Sequence, residues 1–295
     1  MIFDKSFLKF FNLEKFLILS VLILPFALIS GPAIPDIITS FAGILFLLLI
    51  IIKKEYKYLF TLFHKLFYLW CAYLIINSFF SVNPILSLES SLFYFRFLIL
   101  SSLIWYLLDE RKNFKTYFFW SLFLSLLILL IDSSIQYITG SNLIGTPYNG
   151  KRLNSFFGDE LILGSFLSKI FPLTIAILFL LKKNNIFYFI IFLFLFLSFP
   201  ILIFLSGERS AIVITIIVIF FIIFFTSQYS KIKYTSLILL IFSIVFLTIT
   251  NSELKERIFK HTYLQLGLNS NSENINLISK NHDYNYKISY NIFLD

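Results

Sequence analysis

The sequence predicts an all-α fold: a polytopic transmembrane helical bundle of about nine spans, followed by a polar outer tail. Three observations lead there. Apolar residues come in blocks near the ~20 residues that cross about 30 Å of hydrocarbon at ~1.5 Å per residue. Charged residues make up 14% of the 295, against about a quarter in soluble domains. Lysine and arginine are concentrated in alternate connections between the blocks.

In order, the blocks cover roughly 14–31, 33–52, 66–82, 91–108, 117–138, 161–181, 186–205, 209–226 and 234–250. Lys5, Lys9 and Lys15 precede the first, but no small-residue cleavage site follows, so it reads as a span and not as a cleaved signal. The connections are mostly short, which makes neighbouring helices antiparallel. With the N-terminus placed in the cytoplasm, 14 of the 24 basic residues fall on the inner side: Lys5, Lys9, Lys15, Lys53, Lys54, Lys57, Lys65, Arg111, Lys112, Lys115, Lys182, Lys183, Lys231 and Lys233. The outer connections before residue 251 hold three, Lys151, Arg152 and Arg209. This is a positive-inside distribution. It accounts for most of the net charge of +8 without a nucleic-acid partner. The single cysteine, Cys71, rules out an internal disulfide and a cysteine-based metal cluster.

Residues 1–250 therefore form the transmembrane domain, and 251–295 lie outside. The tail is Asn-rich and opens with Leu254–His261, which reads as a helix lying at the outer interface. It stops in mid-pattern at Asp295, so 251–295 is expected to be the start of a larger periplasmic loop that is incomplete in this chain.

Ionisable groups within or beside apolar spans are costly, and each needs a structural or functional reason. Arg152 heads the polar stretch 152–160. Asp159 and Glu160 stand at the start of the sixth block, where acidic residues favour a helix dipole as readily as a ligand site. Lys169 lies roughly 12–14 Å into that span, beyond full snorkelling reach, and is expected to face the bundle interior or a water-filled cleft beside Gly164, Ser165 and Ser168. Glu208 and Arg209 occupy a tight outer turn, with Arg209 suited to bidentate phosphate binding near a helix N-terminus. Arg96 sits in the outer third of the fourth span, and seven residues separate it from Glu89, too far for a relaxed pair. Asp132 and Gln136, one turn apart, are expected to make interhelical hydrogen bonds. His64 reads as interfacial on the inner side. No His, Asp or Glu spacing makes a metal site, and no glycine-rich phosphate loop or G-x-S-x-G element is present.

Arg152, Lys169 and Arg209, with Glu160 and Glu208, project to the outer half of the membrane. Three cations in an apolar scaffold fit a polyanionic lipid headgroup such as a pyrophosphate. A lipid-linked diphosphate sugar has that character, and cations would stabilise the diphosphate as leaving group.

Over residues 131–295 the chain resembles the bacterial O-antigen ligase and polymerase family. The resemblance rests on Ile131–Gly140, on Arg152–Leu161 with Gly164 and Lys169, on Ser206-Gly-Glu-Arg-Ser-Ala211, and on His282–Leu294 as the start of a large periplasmic loop. It implies a bacterial inner-membrane enzyme that transfers glycan from undecaprenyl diphosphate to an acceptor hydroxyl, on lipid A-core or on a growing glycan, at the periplasmic face and without metal or other cofactor. Arg152 and Arg209 match the arginine motifs that handle the diphosphate. A loop histidine acts as base in the family, and that motif would lie beyond residue 295; His282 is the candidate within this chain. Two other readings compete. A polysaccharide-lipid flippase would carry charges in both membrane halves, and a non-catalytic scaffold would need none of these cations.

Overall fold

The computed structural model describes residues 13–148, 150, 152–181, 185–265 and 280–294. Among these the secondary structure is helical apart from an isolated bridge between Ser141 and Pro147. The chain divides into two compact units, Met1–Ser125 and Leu126–Asp295.

The first unit contains α1 (Leu13–Ala27), α2 (Ala33–Lys53), a 3₁₀ turn (Tyr56–Tyr58), α3 (Leu62–Phe79), α4 (Pro84–Ser91), α5 (Arg96–Glu110) and the first half of α6 (Phe114–Thr139). α1 packs on α2, α2 on α5, and α3 on α4. Leu17, Val21, Phe46, Ile50, Leu103 and Leu107 are buried in this unit. Glu14 ties it together at one end. Its carboxylate pairs with Lys53 at 2.5 Å and with Arg111, and accepts from the Tyr106 hydroxyl at 3.0 Å. His64, the third residue of α3, is buried within the protein; its ring nitrogens lie 2.6 Å from Thr61 Oγ1 and 2.8 Å from Ser102 Oγ.

The second unit holds the rest of α6, a 3₁₀ turn (Ser155–Phe157), α7 (Leu163–Leu180), α8 (Ile186–Leu205), α9 (Arg209–Phe225) and α10 (Ser230–Thr250). Then come α11 (Ser252–Lys255), a π-helical turn (Glu256–Lys260), α12 (His261–Gln265) and α13 (Lys280–Leu294). α8 packs on α7, α9 and α10. The aromatic rings of Phe171 and Phe199, 6.2 Å apart, are fully buried, each next in sequence to a proline inside its helix, Pro172 in α7 and Pro200 in α8.

Among the described residues, seven helical segments are long and apolar enough to cross a membrane: Ala33–Lys53, Leu62–Phe79, Pro84–Glu110, Phe114–Thr139, Leu163–Leu180, Ile186–Leu205 and Ile232–Thr250. The expected spans 14–31 and 209–226 are helical, but over 15 and 17 residues, about 22 and 25 Å at the α-helical rise. The expected span 91–108 is longer and broken. Asn83 accepts the Leu86 N–H at 3.5 Å and Pro84 starts α4, then residues 92–95 form a turn before Arg96 opens α5. The helices also expose apolar faces. On α2, Ile37, Phe41, Ile44, Leu48 and Ile51 recur every three or four residues and are all about half exposed or more. Such a stripe belongs against lipid tails, not water, as befits a multi-pass membrane protein.

Lys233 departs from its expected place among loop charges. It is 1% exposed, and its ammonium donates to the carbonyls of Ile222 and Ile223, both at 3.1 Å, to the Thr226 carbonyl and to Thr226 Oγ1 at 3.0 Å. These groups lie in the last turn of α9 and just after it, where helical carbonyls lack partners and the dipole is negative. Lys233→Met is expected to lower stability by about 1–3 kcal/mol, seen as a lower midpoint in thermal unfolding of the purified protein. Lys65→Met, at an exposed site, should leave that midpoint in place.

Candidate functional site

At one end of the second unit, three segments converge: the loop from Ser141 to Ile162, the turn Ser206–Glu208, and the helical stretch Ser252–Gln265. The loop is held from below by α6. Asp132 is fully buried, and its carboxylate accepts from the Leu143 N–H at 2.9 Å and the Ser155 hydroxyl at 2.5 Å. Gln136, one turn on, accepts from the N–H groups of Asn154 at 3.3 Å and Ser155 at 2.9 Å, and donates to Asn154 Oδ1 at 2.5 Å. The two residues share a face as their spacing predicts, but their partners lie in the following loop and not on another helix. With Leu153, Asn154 and Ser155 buried, the backbone beside Arg152 is fixed.

Glu208 organises the turn. It is 7% exposed, and its carboxylate accepts from the Gly164 N–H at 2.7 Å, the Ser165 N–H at 3.0 Å and the Ser165 hydroxyl at 2.5 Å. It thus satisfies donors in the first turn of α7, a place where both the free N–H groups and the dipole favour a negative charge. Asp159 and Glu160 were the sequence candidates for that dipole. They lie before α7 and are exposed. Gly164 permits the contact: a Cβ there would collide with Ser206 Oγ and come within 3.1 Å of Glu208. Gly207 adopts a left-handed φ of +67°, and its carbonyl accepts from Arg257 Nε at 3.1 Å.

The cations gather around this turn. Arg209, the first residue of α9, is half-buried and donates to Thr262 Oγ1 at 3.3 Å. Arg152 donates to the Leu161 carbonyl at 3.0 Å, just before α7. Arg257, half-buried, has its pKa lowered first by burial and then by the charges of Arg152 and Arg209, with Glu208 opposing. Among the described residues, neither Arg209 nor Arg257 lies within ion-pairing distance of a carboxylate. Nearby, burial and the Tyr137 and Glu253 side chains push the Tyr148 phenol up to about 12, against a hydrogen bond with Asn251. Its hydroxyl donates to the Gly150 carbonyl at 2.9 Å.

Of the residues singled out in the sequence, Arg152, Glu208 and Arg209 come together. Lys169 is exposed, whereas its neighbour Ser168 is buried, so the lysine is not enclosed among the helices of its unit. Arg96 belongs to the first unit, where it pairs with Asp36 at 2.9 Å; Glu89 is not its partner. His282 lies in α13, and the placement of its side chain falls outside the described residues. No group of three or more His, Cys, Asp or Glu able to hold a metal occurs among the described residues. Arg257 was missed: it sits in an amphipathic polar segment, where the sequence gives no sign of which face turns inward.

The geometry makes the α7–turn contact a structural requirement of the site. Gly164→Ala is expected to destabilise the protein by about 1–3 kcal/mol through overpacking. Glu208→Ala, which strands buried N–H donors, is expected to cost about 2–4 kcal/mol. Both follow from denaturation midpoints. A scan against protein-family models and searches of curated proteins and of solved structures returned no match for this chain.

Proposed function

We propose that the protein transfers a polysaccharide of the O-antigen kind from a polyprenyl-diphosphate carrier to an acceptor hydroxyl, on lipid A-core or on a growing glycan, as the bacterial O-antigen ligases and polymerases do. In this reading the membrane is the bacterial inner membrane, the N-terminus is cytoplasmic, and the arginine-bearing end of the second unit faces the periplasm. The observation that carries it is the grouping of Arg152, Arg209 and Arg257 around a turn whose own carboxylate, Glu208, is engaged with backbone N–H groups.

Chemically, such a group of guanidiniums suits an anion with several phosphate oxygens. Each guanidinium offers a planar fork of donors, and Arg209 stands at the N-terminus of α9, whose N-cap Glu208 makes no side-chain capping bond. In the transfer, the acceptor oxygen forms a bond to the anomeric carbon as the bond from that carbon to the carrier diphosphate breaks. The acceptor hydroxyl loses its proton to a base. Negative charge builds on the departing diphosphate, and the arginines stabilise it there. The apolar helices keep the carrier's tail in the bilayer, so that the headgroup meets the cations at the membrane surface. Charge placement favours this over a flippase, because the arginine group lies at one end of its unit.

Arg209→Ala and Arg152→Ala, introduced at the chromosomal locus of the source cell, are each expected to cut transfer by roughly 10²-fold, read as lost surface glycan with lipid-linked glycan accumulating. Protein level in the membrane fraction checks that the variants fold. Unchanged surface glycan at normal protein level contradicts the roles given to these arginines.

A further inference from the structure

We infer that the outward side of the helical stretch Ser252–Gln265 seats a phospholipid of the surrounding bilayer: Phe259 and Tyr263 lie against its glycerol and upper chain region, and Lys255 and Lys260 take its phosphate. The inference needs a bilayer but not the transfer reading above.

The stretch has two sides. Leu254 is fully buried, and Arg257, Ile258 and Thr262 are half-buried. Arg257 Nε donates to the Gly207 carbonyl at 3.1 Å, and Arg209 donates to Thr262 Oγ1 at 3.3 Å. These two contacts lay the inner side on the turn that opens α9. On the other side, Ser252, Lys255, Glu256, Phe259, Lys260 and Tyr263 recur at helical spacing and line a groove. Phe259 and Tyr263, four residues apart, are each about half exposed. Two such rings together on an otherwise polar segment mark a contact surface.

Position says what meets them. The stretch begins directly after Asn251, the C-cap of α10, and α10 is long and apolar enough to cross a membrane. Near that end α10 exposes Val245, Phe246 and Ile249, a face that belongs against lipid tails. A stretch that leaves the span there, and is held across the start of α9, stays at the level of the headgroups. Aromatic rings collect at that level, and lysine stems lie along apolar surface while their ammonium groups reach the phosphates. The acidic side chains of the stretch are engaged within the protein. Glu256 accepts from Lys260 at 2.7 Å, and the Glu253 carboxylate lies against Gly150, where an added Cβ would collide with it. Lipid and turn thus hold the stretch from opposite sides.

The test uses the full chain in nanodiscs made of phosphatidylethanolamine and phosphatidylglycerol alone, with Cys71→Ala removing the native thiol. A nitroxide is attached at Phe259→Cys or at Tyr263→Cys. Its collisions with oxygen, which concentrates in the bilayer, are compared with those with a water-soluble nickel chelate. Oxygen is expected to dominate at both positions. Lys255→Glu combined with Lys260→Glu sets carboxylates against the phosphate and is expected to lower the oxygen-to-nickel ratio roughly fivefold. Thermal midpoints check that each protein folds, and a label at Leu264→Cys, a neighbouring exposed site, replaces either one that does not. Chelate collisions that dominate at either position in a folded protein mean that water reaches this side, or that a protein or glycan absent from the disc covers it, and overturn the inference. An unchanged ratio in the folded double variant overturns the phosphate contact and with it the seat. Neither outcome touches the transfer reading.

Discussion

The docking of the Glu208 carboxylate on the first turn of α7 is the contact on which the second unit's polar end depends. Three donors converge on it. The carboxylate does what a capping side chain does within one helix, but from a turn 44 residues away in sequence, and so it locks the start of α7 to the start of α9. The neighbouring residues inherit that geometry. Gly207 presents its carbonyl to Arg257, and Arg209 leaves the turn towards Thr262. The apolar packing of α7 against α8 and α9 would tolerate small shifts along the helices; this contact does not, because buried N–H groups would lose their acceptor.

Acidic side chains answer basic ones in both units. In the first, Glu14 meets Lys53 and Arg111, Asp36 meets Arg96, and Glu110 lies 3.9 Å from Lys57. In the second, Glu256 meets Lys260 and Asp283 meets Lys287. These exposed and half-exposed pairs contribute modestly. The Glu208 carboxylate is engaged instead with the N–H groups of Gly164 and Ser165. The charges of Arg152 and Arg209 act on Arg257 and oppose its own. An anionic ligand would relieve that repulsion, which is the basis of the binding role proposed for the group.

The helical architecture was legible because a bilayer imposes length and composition on what crosses it. Run length alone misjudged the ends. α1 stops at Ala27, where the expected span ran on through Gly31, and the single expected fourth span is two helices around a turn at 92–95. The site was legible in part. Arg152, Glu208 and Arg209 stand out in the sequence because charge beside apolar runs demands a reason. Their partners do not stand out, since they come from the long-range fold: α7 supplies Gly164 and Ser165 to Glu208, and α6 anchors the loop through Asp132 and Gln136. Spacing revealed the shared face of Asp132 and Gln136 but not what would lie against it. The same limit hid Lys233, whose basic character suited a loop and whose neighbours turned out to be the carbonyls ending α9.

The most direct measurement is photo-crosslinking of the full chain in a native-like bilayer with a polyprenyl-diphosphoryl sugar that carries a photoreactive group next to the diphosphate, followed by peptide mapping. The account predicts adducts concentrated in three segments, residues 150–162, 206–212 and 252–262, that are suppressed by excess unlabelled lipid. Adducts confined to the first unit, or spread along the apolar helices without competition, would contradict it.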